Sequence, residues 1–268
     1  MQNGYYDTAG AMVTQFNRLD VISNNLANVN TFGFKKDDVV IGEFERIFQD
    51  KRDKLPLTDH TKEAAKFLNR SLNKVPQVVE NFTVFTQGGI KKTGNALDFA
   101  LKRADIFFMV ETPNGVRLTQ DGSFKINEKG ILTTKEGYPV LPSDYFSNGN
   151  YIEIPPKGVL TSDKEGNLYI NGYKTNKFFI AQVENLKNLK KEGNNLYKVE
   201  KEREEISQIG KGDYIAQGFV EISNINPVNE MVSLIETNRL VEMYQKVMDS
   251  HMNDLNNDAI NKLASVRA

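Results

Sequence analysis

The longest regular pattern in the chain lies in its last forty residues, where apolar side chains recur at helical spacing. Neither glycine nor a second proline follows Pro227, so no residue interrupts a helix there. Asn226 is a favourable N-cap, and Glu230 lies near the positive end of the helix dipole. We predict one helix from Pro227 to Val266, about 60 Å long at roughly 1.5 Å per residue. Its apolar stripe comprises Val241, Tyr244, Met248, Met252, Leu255, Ala259, Leu263 and Val266.

The other end of the chain carries a matching pattern, which predicts a helix from near Tyr5 to Ala27. Its stripe comprises Tyr5, Ala9, Met12, Phe16, Leu19 and Leu26, widened by Val13 and Ile22. An amphipathic helix must cover its apolar stripe. Two arrangements achieve this here: an ordinary globular core around a long N-terminal helix, or a coiled-coil-like domain formed by the paired N- and C-terminal helices.

The middle of the chain changes to the two-residue alternation of β-strands. Short runs rich in β-branched and aromatic side chains follow one another through residues 75–222. Turn pairs such as Asn114-Gly115, a strong hairpin signal, separate these runs. Residues 173–183 and 214–222 are each expected to form one strand. We predict a mainly β central domain, a distorted sandwich or barrel of short antiparallel strands.

These patterns divide the chain into three parts. Residues 1–35 with 223–268 are expected to form a terminal helical assembly domain, and residues 75–222 a β-rich outer domain. Residues 36–74 form a connector with short helices, expected near 44–48 and within 61–72. The β-rich domain is thus an insertion between the two terminal helices.

Composition narrows the range of functions. Lys and Arg number 34 against 35 Asp and Glu, a net charge of −1, which argues against nucleic-acid binding because such proteins carry a basic excess. Cysteine is absent, which excludes disulfides and thiol chemistry. The first residues lack the features of a cleaved secretory signal, and the longest apolar run, Ile106–Val110, is too short to span a membrane. Taken alone, these features predict a soluble cytosolic protein.

No group of residues has the pattern of a catalytic, cofactor or metal site. His60 and His251 lack the carboxylate spacing of a metal site and accompany no nucleophile motif. Gly89–Gly94 has the glycine spacing of a phosphate loop but continues with Asn95-Ala96, so a hairpin turn is expected. Asp163–Asn167 lacks the spacing and final Glu of a calcium loop. We therefore predict that the protein is not an enzyme and uses no cofactor, metal or small-molecule substrate.

Segments along the whole chain resemble one family. Ser23–Lys35 is similar to the N-terminal signature of the bacterial flagellar rod and hook family. Ser223–Asn226, Glu230-Met231 and Asn238-Arg239 with Glu242 resemble its C-terminal signature. Five further segments match landmarks of the family's β-domain in order: Leu97–Leu101, Phe107–Val110, Asp121–Phe124, Asn195–Tyr197 and Gln217–Glu221.

Three positions depart from the family pattern. Ala104-Asp105-Ile106 stands where Gly-x-Gly is usual, and Leu118-Thr119-Gln120 stands where Tyr-Thr-Arg is usual. Val241 stands where an aromatic residue is common. These departures bear on the paralogue and on lateral contacts between subunits, not on the family.

The resemblance implies a structural role. In that family the terminal helices pair into an inner tube domain, the middle forms an outer β-domain, and subunits join head to tail into a helical tube. The resemblance also implies export through the flagellar type III channel without a cleaved signal, which overrides the cytosolic expectation. The subunit would then lie in the basal body of the flagellum, where the rod spans the periplasm and transmits torque from motor to hook.

The same resemblance sets the expected partners and assembly residues. The partners are further copies of the chain, other rod and hook subunits, the export apparatus and the surrounding rings. Chain length favours a rod subunit over the longer hook subunit, with the distal rod preferred and the proximal rod as the alternative. The predicted assembly residues are Phe16, Leu19, Leu26, Asn28, Thr31, Gly33, Phe34, Lys35, Ser223, Asn224, Val241, Met248, Met252 and Leu255.

One function of a different class stays open at this point. A secreted β-domain that binds or modifies cell-wall glycan, with the helices as a dimerisation stalk, would have the same helix and strand pattern. Glycan enzymes hold a pair of carboxylates in a groove, and sugar sites usually add exposed aromatic rings. The absence of tryptophan weakens this alternative.

Overall fold

The computed structural model describes residues 2–43, 76–199, 206–210 and 212–265. The chain divides into two compact units. The first, here called the helical unit, comprises Met1–Leu26, Asp37–Phe82 and Pro227–Ala268. The second, the β unit, comprises Ala27–Lys36 and Thr83–Asn226. Residues 27–35, which the sequence patterns group with the terminal helices, thus belong to the β unit.

The helical unit contains the two predicted terminal helices. Helix α1 spans Gln2–Ala27 and helix α3 spans Pro227–Ser265. Both lie where the apolar spacing and the N-cap at Asn226 place them, so these helices are confirmed. Strand β1 (Asp37–Glu43) pairs with β2 (Pro76–Thr83) in the same unit. The connector therefore begins with a strand, and the short helices expected at 44–48 and 61–72 lie outside the described residues.

Each helix has a series of shielded positions spaced by three and four residues. In α1 they are Thr8, Ala11, Gln15, Arg18, Ile22 and Asn25, of which only Arg18 is half-buried and the rest are buried, and Thr14 beside Gln15 is buried as well. In α3 they are Glu230, Leu234, Thr237, Val241, Tyr244, Met248 and His251, of which Glu230 and Thr237 are buried. Such a spacing is typical of one helix face packed along another element. The coiled-coil pairing itself stays a proposal.

The β unit contains fifteen of the described strands and two short helical turns. In chain order the strands are β3 (Ile90–Lys92), β4 (Phe99–Leu101), β5 (Ile106–Thr112), β6 (Gly115–Thr119), β7 (Lys125–Ile126), β8 (Leu132–Thr133), β9 (Leu160–Ser162), β10 (Asn167–Ile170), β11 (Tyr173–Lys177), β12 (Ile180–Val183), β13 (Leu189–Gly193), β14 (Leu196–Val199), β15 (Ile206–Gln208), β16 (Ile215–Gln217) and β17 (Phe219–Glu221). Helix α2 spans Tyr145–Asn148, and a 3-10 turn spans Leu186–Asn188.

These strands form several small antiparallel sheets. The largest has the order β13-β14-β6-β5-β12-β15, and a three-stranded sheet has the order β11-β10-β9. Three pairs complete the unit: β3 with β17, β4 with β16, and β7 with β8. The mainly β class is thus confirmed, but the described strands form no closed barrel. The barrel expectation is wrong because the sheet ends at β13 and β15, each paired with one neighbour.

Strand β5 contributes side chains to two hydrophobic clusters, one on each face of the six-stranded sheet. Phe108 points into a cluster that includes Phe99, Phe124 and Phe178, whose rings stack edge to face or at a tilt 5.0–6.1 Å apart. Phe107, the next residue, points into a second cluster around Tyr197. Successive side chains of a strand point to opposite faces. An apolar run such as Ile106–Val110 therefore supplies both cores at once.

Two expected single strands are each interrupted. Residues 173–183 split into β11 and β12, because the N–H groups of Phe178 and Phe179 donate to Gly166 O and Leu141 O instead of continuing one ladder. Residues 214–222 split into β16 and β17 at Gly218, whose φ is +79°. In both places the chain changes its sheet partner, and this change depends on residues far away in the sequence.

Candidate assembly site

The ten residues after α1 begin with a short turn. The N–H of Thr31 donates to Asn28 O at 3.1 Å, and its hydroxyl donates to Asn28 Oδ1 at 3.2 Å. The N–H of Phe34 then donates to Thr31 O at 3.4 Å. Asn28 and Thr31, two of the predicted assembly residues, thus shape the backbone that carries the following residues onto the β unit.

Gly33 lies at the closest approach of this segment to the strands. Its φ is +67°, a conformation that side chains with a Cβ rarely adopt. Its N–H donates to Glu221 O at 2.8 Å. A Cβ on Gly33 would lie 2.5 Å from Asp121 N and 2.6 Å from Gln120 O, both backbone atoms. Glycine is therefore required both for the turn and for the packing.

Lys35 forms a buried ion pair with Glu221. Its Nζ lies 2.6 Å from Glu221 Oε1 and donates to Thr86 O at 2.9 Å, while the side chains are each 1% exposed. Glu221 Oε1 also accepts the N–H of Gly88 at 2.7 Å. Its other oxygen, Oε2, is buried without a hydrogen-bond partner among the described residues. Burial lowers the pKa of Lys35, and attraction to Glu221 opposes that shift.

Two cations cover the aromatic residues of the same segment. Lys191 Nζ lies 3.8 Å from the centroid of the Phe34 ring and donates to Lys35 O at 2.8 Å. Lys135 Nζ lies 4.7 Å from the centroid of the Phe32 ring. Cation–π contacts of this kind contribute about 0.5–1 kcal/mol each at exposed sites. They fix the segment laterally on the β unit.

The chain that leads into α3 reaches the same place. Asn224 Oδ1 accepts the N–H of Lys36 at 2.8 Å, and its Nδ2 donates to Val84 O at 2.8 Å and Thr86 Oγ1 at 2.9 Å. Ser223 is buried beside it. We call residues 28–36, 84–88 and 221–224 the terminal anchor. It brings together seven of the predicted assembly residues: Asn28, Thr31, Gly33, Phe34, Lys35, Ser223 and Asn224.

In the helical unit, Asn25 joins α1 to two other elements. Its Nδ2 donates to Asp37 O at 2.8 Å, and its Oδ1 accepts the N–H of Asp37 at 3.0 Å. The same Nδ2 lies 3.5 Å from Glu230 Oε2 on α3. Asn25 is only 2% exposed, so these bonds satisfy a buried amide. Helix α1, strand β1 and helix α3 are thereby held at one point.

The predicted assembly residues do not include Asn25 and Glu221. A signal in the sequence is present for Glu221 alone, which lies within the apolar run Phe219–Ile222, whereas Asn25 lies nearly opposite the predicted apolar stripe of α1. A polar residue at such a position must find a partner when buried. A polar residue within an apolar run thus indicates that a buried partner exists, but the sequence does not identify that partner.

Both helices expose large apolar side chains beside their shielded faces. On α1, Val13 and Phe16 are 59% and 44% exposed. On α3 the exposed set is Val228, Met231, Val232, Ile235, Met243, Val247 and Met252. An apolar surface of this extent is typical of an interaction site. Of the other predicted residues on the helices, Leu19, Leu26, Val241 and Met248 are half-buried, and the side chain of Leu255 lies outside the described part.

Among the residues that the structure describes, no three His, Asp or Glu side chains come together as a possible metal site. Within the same residues, no helix combines the length and apolar character that crossing a bilayer requires.

Comparison with known protein families gives three matches along the chain. Residues 8–35 match the family model described as flagella basal body rod protein. Residues 104–172 match the flagellar hook protein FlgE/F/G D1 domain, and residues 216–261 match the flagellar basal body rod FlgEFG protein C-terminal family. The first match includes residues 28–35 of the terminal anchor, and the third includes its residues 221–224. Together the two matches also include the exposed apolar residues of α1 and α3 named above.

Curated relatives match over nearly the whole chain. The flagellar basal-body rod protein FlgF of Caulobacter vibrioides is 31% identical over 267 residues, covering 99% of this chain and 100% of the relative. FlgG of Borreliella burgdorferi is 30% identical over 269 residues, covering 95% and 97%. FlgG of Buchnera aphidicola from Acyrthosiphon pisum is 30% identical over 239 residues, covering 85% and 87%. The chain therefore belongs to the flagellar basal-body rod and hook protein family.

Proposed function

We propose that this protein polymerises into the helical tube of the flagellar rod through the exposed apolar faces of its two terminal helices. The observation that carries the proposal is the set of large apolar side chains on α1 and α3, among them Phe16 and Met252. When a neighbouring subunit covers exposed apolar surface, the burial stabilises the assembly by about 25 cal/mol per Å². Head-to-tail contacts that do not close then build a tube.

In this proposal the paired helices form an inner domain like a coiled coil. Each helix has a series of shielded positions spaced by three and four residues, and Asn25 Nδ2 lies 3.5 Å from Glu230 Oε2 on the other helix. Neighbouring copies would cover the remaining apolar positions. The domain division expected from the sequence, with residues 1–35 and 223–268 as the assembly part, is retained as part of the proposal.

The terminal anchor supplies the mechanical role. It bonds the chain that leaves α1 and the chain that enters α3 to the same strands of the β unit, through Lys35, Glu221 and Asn224. Buried and hydrogen-bonded contacts of this kind resist local opening better than exposed loops. Torque that passes along the tube would therefore reach the β unit through two fixed chain segments.

Relatives of both rod types support a rod position. The FlgF relative matches along its full length, and FlgF is the proximal rod protein, whereas FlgG is the distal one. The full-length match leads us to place the proximal rod first, ahead of the distal rod preferred from the sequence alone. Other rod and hook subunits, the export apparatus and the surrounding rings would be its partners, in a basal body that spans the periplasm.

Localisation and complementation in one host test this proposal. The gene is introduced into motile cells from which either the FlgF or the FlgG gene has been deleted, and basal bodies are isolated from both strains. We expect the chain in the rod fraction, with swimming restored in the FlgF-deleted strain alone. Restoration in the FlgG-deleted strain alone would assign the distal rod instead. A stable, exported chain that never appears in basal bodies would contradict the proposal.

A further inference from the structure

One end of the three-stranded sheet carries an exposed apolar tip. The β10–β11 turn contains Asn171 and Gly172, whose φ values are +51° and +83°, as a tight hairpin turn requires. Asn171 exchanges hydrogen bonds with Val159: its N–H donates to Val159 O, and its Oδ1 accepts the N–H of Val159, both at 3.0 Å. Val159 and Tyr173 flank this turn and are 62% and 79% exposed. We call Val159, Asn171, Gly172 and Tyr173 the sheet tip.

A second apolar surface lies around α2. Phe146 is 65% exposed, and its ring stacks edge to face on Tyr145 and Phe179 at 5.5 and 5.8 Å. Tyr151 packs at 5.9 Å from Tyr145, and both hydroxyls donate to the Glu111 carboxylate, at 2.6 Å from Tyr151 and 2.9 Å from Tyr145. We call Tyr145, Phe146, Tyr151 and Phe179 the aromatic patch.

The aromatic patch packs on the hydrophobic core of the β unit. Tyr145, Tyr151 and Phe179 pack against the core cluster around Phe107 and Tyr197. Gly149, with φ +66°, ends α2 by donating its N–H to Tyr145 O at 2.7 Å. A rigid aromatic surface loses little entropy when a partner binds, and aromatic residues are enriched at binding hot spots.

Different charges adjoin the two surfaces. Lys157 precedes Val159 by two residues and Lys174 follows Tyr173, and both lysines are exposed. Glu111 lies within the aromatic patch, and Asp144 precedes it in sequence. Asp144 Oδ2 accepts a hydrogen bond from Asn148 Nδ2 at 3.2 Å, and Asp144 Oδ1 is buried without a hydrogen-bond partner in the described part of the chain. Opposite charges arranged in this way favour one docking orientation over others.

The tip and the patch lie at opposite ends of one chain segment. Tyr173 begins β11, and Phe179 follows its last residue by two positions. Six extended residues separate them by roughly 20 Å at about 3.3 Å per residue. Surfaces that differ from each other and lie apart on the same molecule can meet only between copies, and such a contact is heterologous.

We propose that the sheet tip of one copy docks on the aromatic patch of the next copy in the rod, so that the β units form a second, outer set of subunit contacts. The proposal rests on the proposed assembly into a rod, and it assigns to that assembly a contact outside the terminal helices. Tyr173 and Val159 would cover Phe146 and Phe179, while Lys157 or Lys174 approaches Asp144.

The absence of cysteine in the chain permits a direct cross-linking test. Tyr173→Cys, Phe146→Cys and the double variant are each expressed in the host in which the chain has been found in basal bodies. Isolated basal bodies are treated with a short bismaleimide and separated by denaturing electrophoresis. The control is the double variant Phe146→Cys/Glu136→Cys, because Glu136 is exposed on a turn that is not part of the sheet tip.

The double variant Tyr173→Cys/Phe146→Cys should give covalent dimers and higher species of this chain, and each single variant and the control should give monomer. Dimers from a single variant would show a like-to-like contact and overturn the proposal. Two results with the double variant would also overturn the proposal: cross-links to other basal-body proteins alone, or no cross-link in intact rods. Failure of the chain to enter basal bodies at all would instead contradict the proposed rod function on which the contact depends.

A second pair of variants separates contact from folding. Tyr173→Ser should leave the melting temperature of the isolated chain unchanged, because the side chain is 79% exposed, yet lower the amount of chain in basal bodies several-fold. Tyr173→Phe, which keeps the ring, should restore it. Equal incorporation of both variants would overturn the role of the tip.

Discussion

The Nζ of Lys35 lies 2.6 Å from Glu221 Oε1, in a pair that joins residues 186 positions apart and is closed to solvent. Lys35 follows the first helix by eight residues, and Glu221 precedes the last helix by six. The pair thus fixes both chain segments to the β unit at one point. Glu221 accepts three hydrogen bonds there: Oε1 accepts from Lys35 Nζ and from the N–H of Gly88, and the backbone oxygen accepts from the N–H of Gly33.

Removal of the lysine charge should destabilise the β unit strongly. Lys35→Met leaves Glu221 as a buried, unpaired carboxylate, and breaking a buried pair in this way costs about 3–5 kcal/mol. The double variant Lys35→Met/Glu221→Leu should recover a large part of that loss, since no buried charge remains. Urea unfolding of the purified chain measures both free energies.

An exposed pair in the same unit provides the control. Lys102 pairs with Asp213, and these side chains are 31% and 49% exposed. Lys102→Met should therefore change the free energy of unfolding by less than about 1 kcal/mol. A loss in Lys35→Met no larger than that in Lys102→Met would show that the buried pair does not hold the terminal anchor.

Gly33→Ala should destabilise the chain more than an alanine at another glycine of similar φ. Gly94 has φ +76°, and a Cβ there would meet no atom within 4 Å, so Gly94→Ala causes backbone strain alone, about 1–2 kcal/mol. In Gly33→Ala the new Cβ would also lie only 2.5 Å from Asp121 N, and this overlap should lower the stability by about 1–3 kcal/mol more. Thermal unfolding of the two variants measures the difference, and equal losses would contradict the close approach.

Tyr151 should ionise at unusually high pH. The hydrogen bond to the Glu111 carboxylate, with partial burial, raises its pKa from 10.0 to about 12. Glu111→Gln removes that charge and should return the pKa toward 10.0, whereas Glu136→Gln, on an exposed turn, should not. NMR titration of the labelled tyrosine ζ carbons measures the shift. A pKa unchanged by Glu111→Gln would contradict the contact.

The same contact predicts the direction of a pH effect on stability. The folded state holds the Tyr151 proton more tightly than the unfolded state, so this contribution is fully present below about pH 10. It is lost as the pH rises from about 10 toward about 12. Urea unfolding across this range should show a smaller alkaline loss of stability in Glu111→Gln than in the parent chain.

Local chemistry was sufficient to predict the helices but not the sheets. The predicted helix Pro227–Val266 agrees with the observed Pro227–Ser265, because capping residues and the absence of glycine act locally. The expected single strand over 173–183 is broken because Phe178 and Phe179 bond to Gly166 and Leu141, partners that the side-chain alternation does not reveal. The barrel expectation was wrong for the same reason: closure depends on which strands pair.

Two departures from the family pattern are explained only by the structure. Gln120 stands where the family usually has Arg, and Ala104-Asp105-Ile106 where it has Gly-x-Gly. In the structure these positions touch: Gln120 Nε2 donates to Ala104 O at 2.8 Å and to Ile106 O at 3.1 Å. The two departures therefore belong to one local arrangement, which neither position reveals when considered separately.

A carboxylate on the exposed helix face should stop assembly without unfolding the β unit. Met252 is 47% exposed and Phe16 is 44% exposed, so Met252→Asp and Phe16→Asp cost little in the isolated chain. In the rod each would bury an unpaired charge at a cost of several kcal/mol per interface. Asn253→Asp and Asn17→Asp place the same charge one residue along, at positions that are also exposed, and serve as matched controls.

The decisive measurement is the amount of Met252→Asp subunit in isolated basal bodies, relative to Asn253→Asp expressed at the same level. We expect both chains to be made and exported with the same melting transition of the β unit, and only Asn253→Asp to enter the rod. Intact rods that contain the Met252→Asp subunit in the same amount as the control would contradict the assignment of these helix faces to the polymer core.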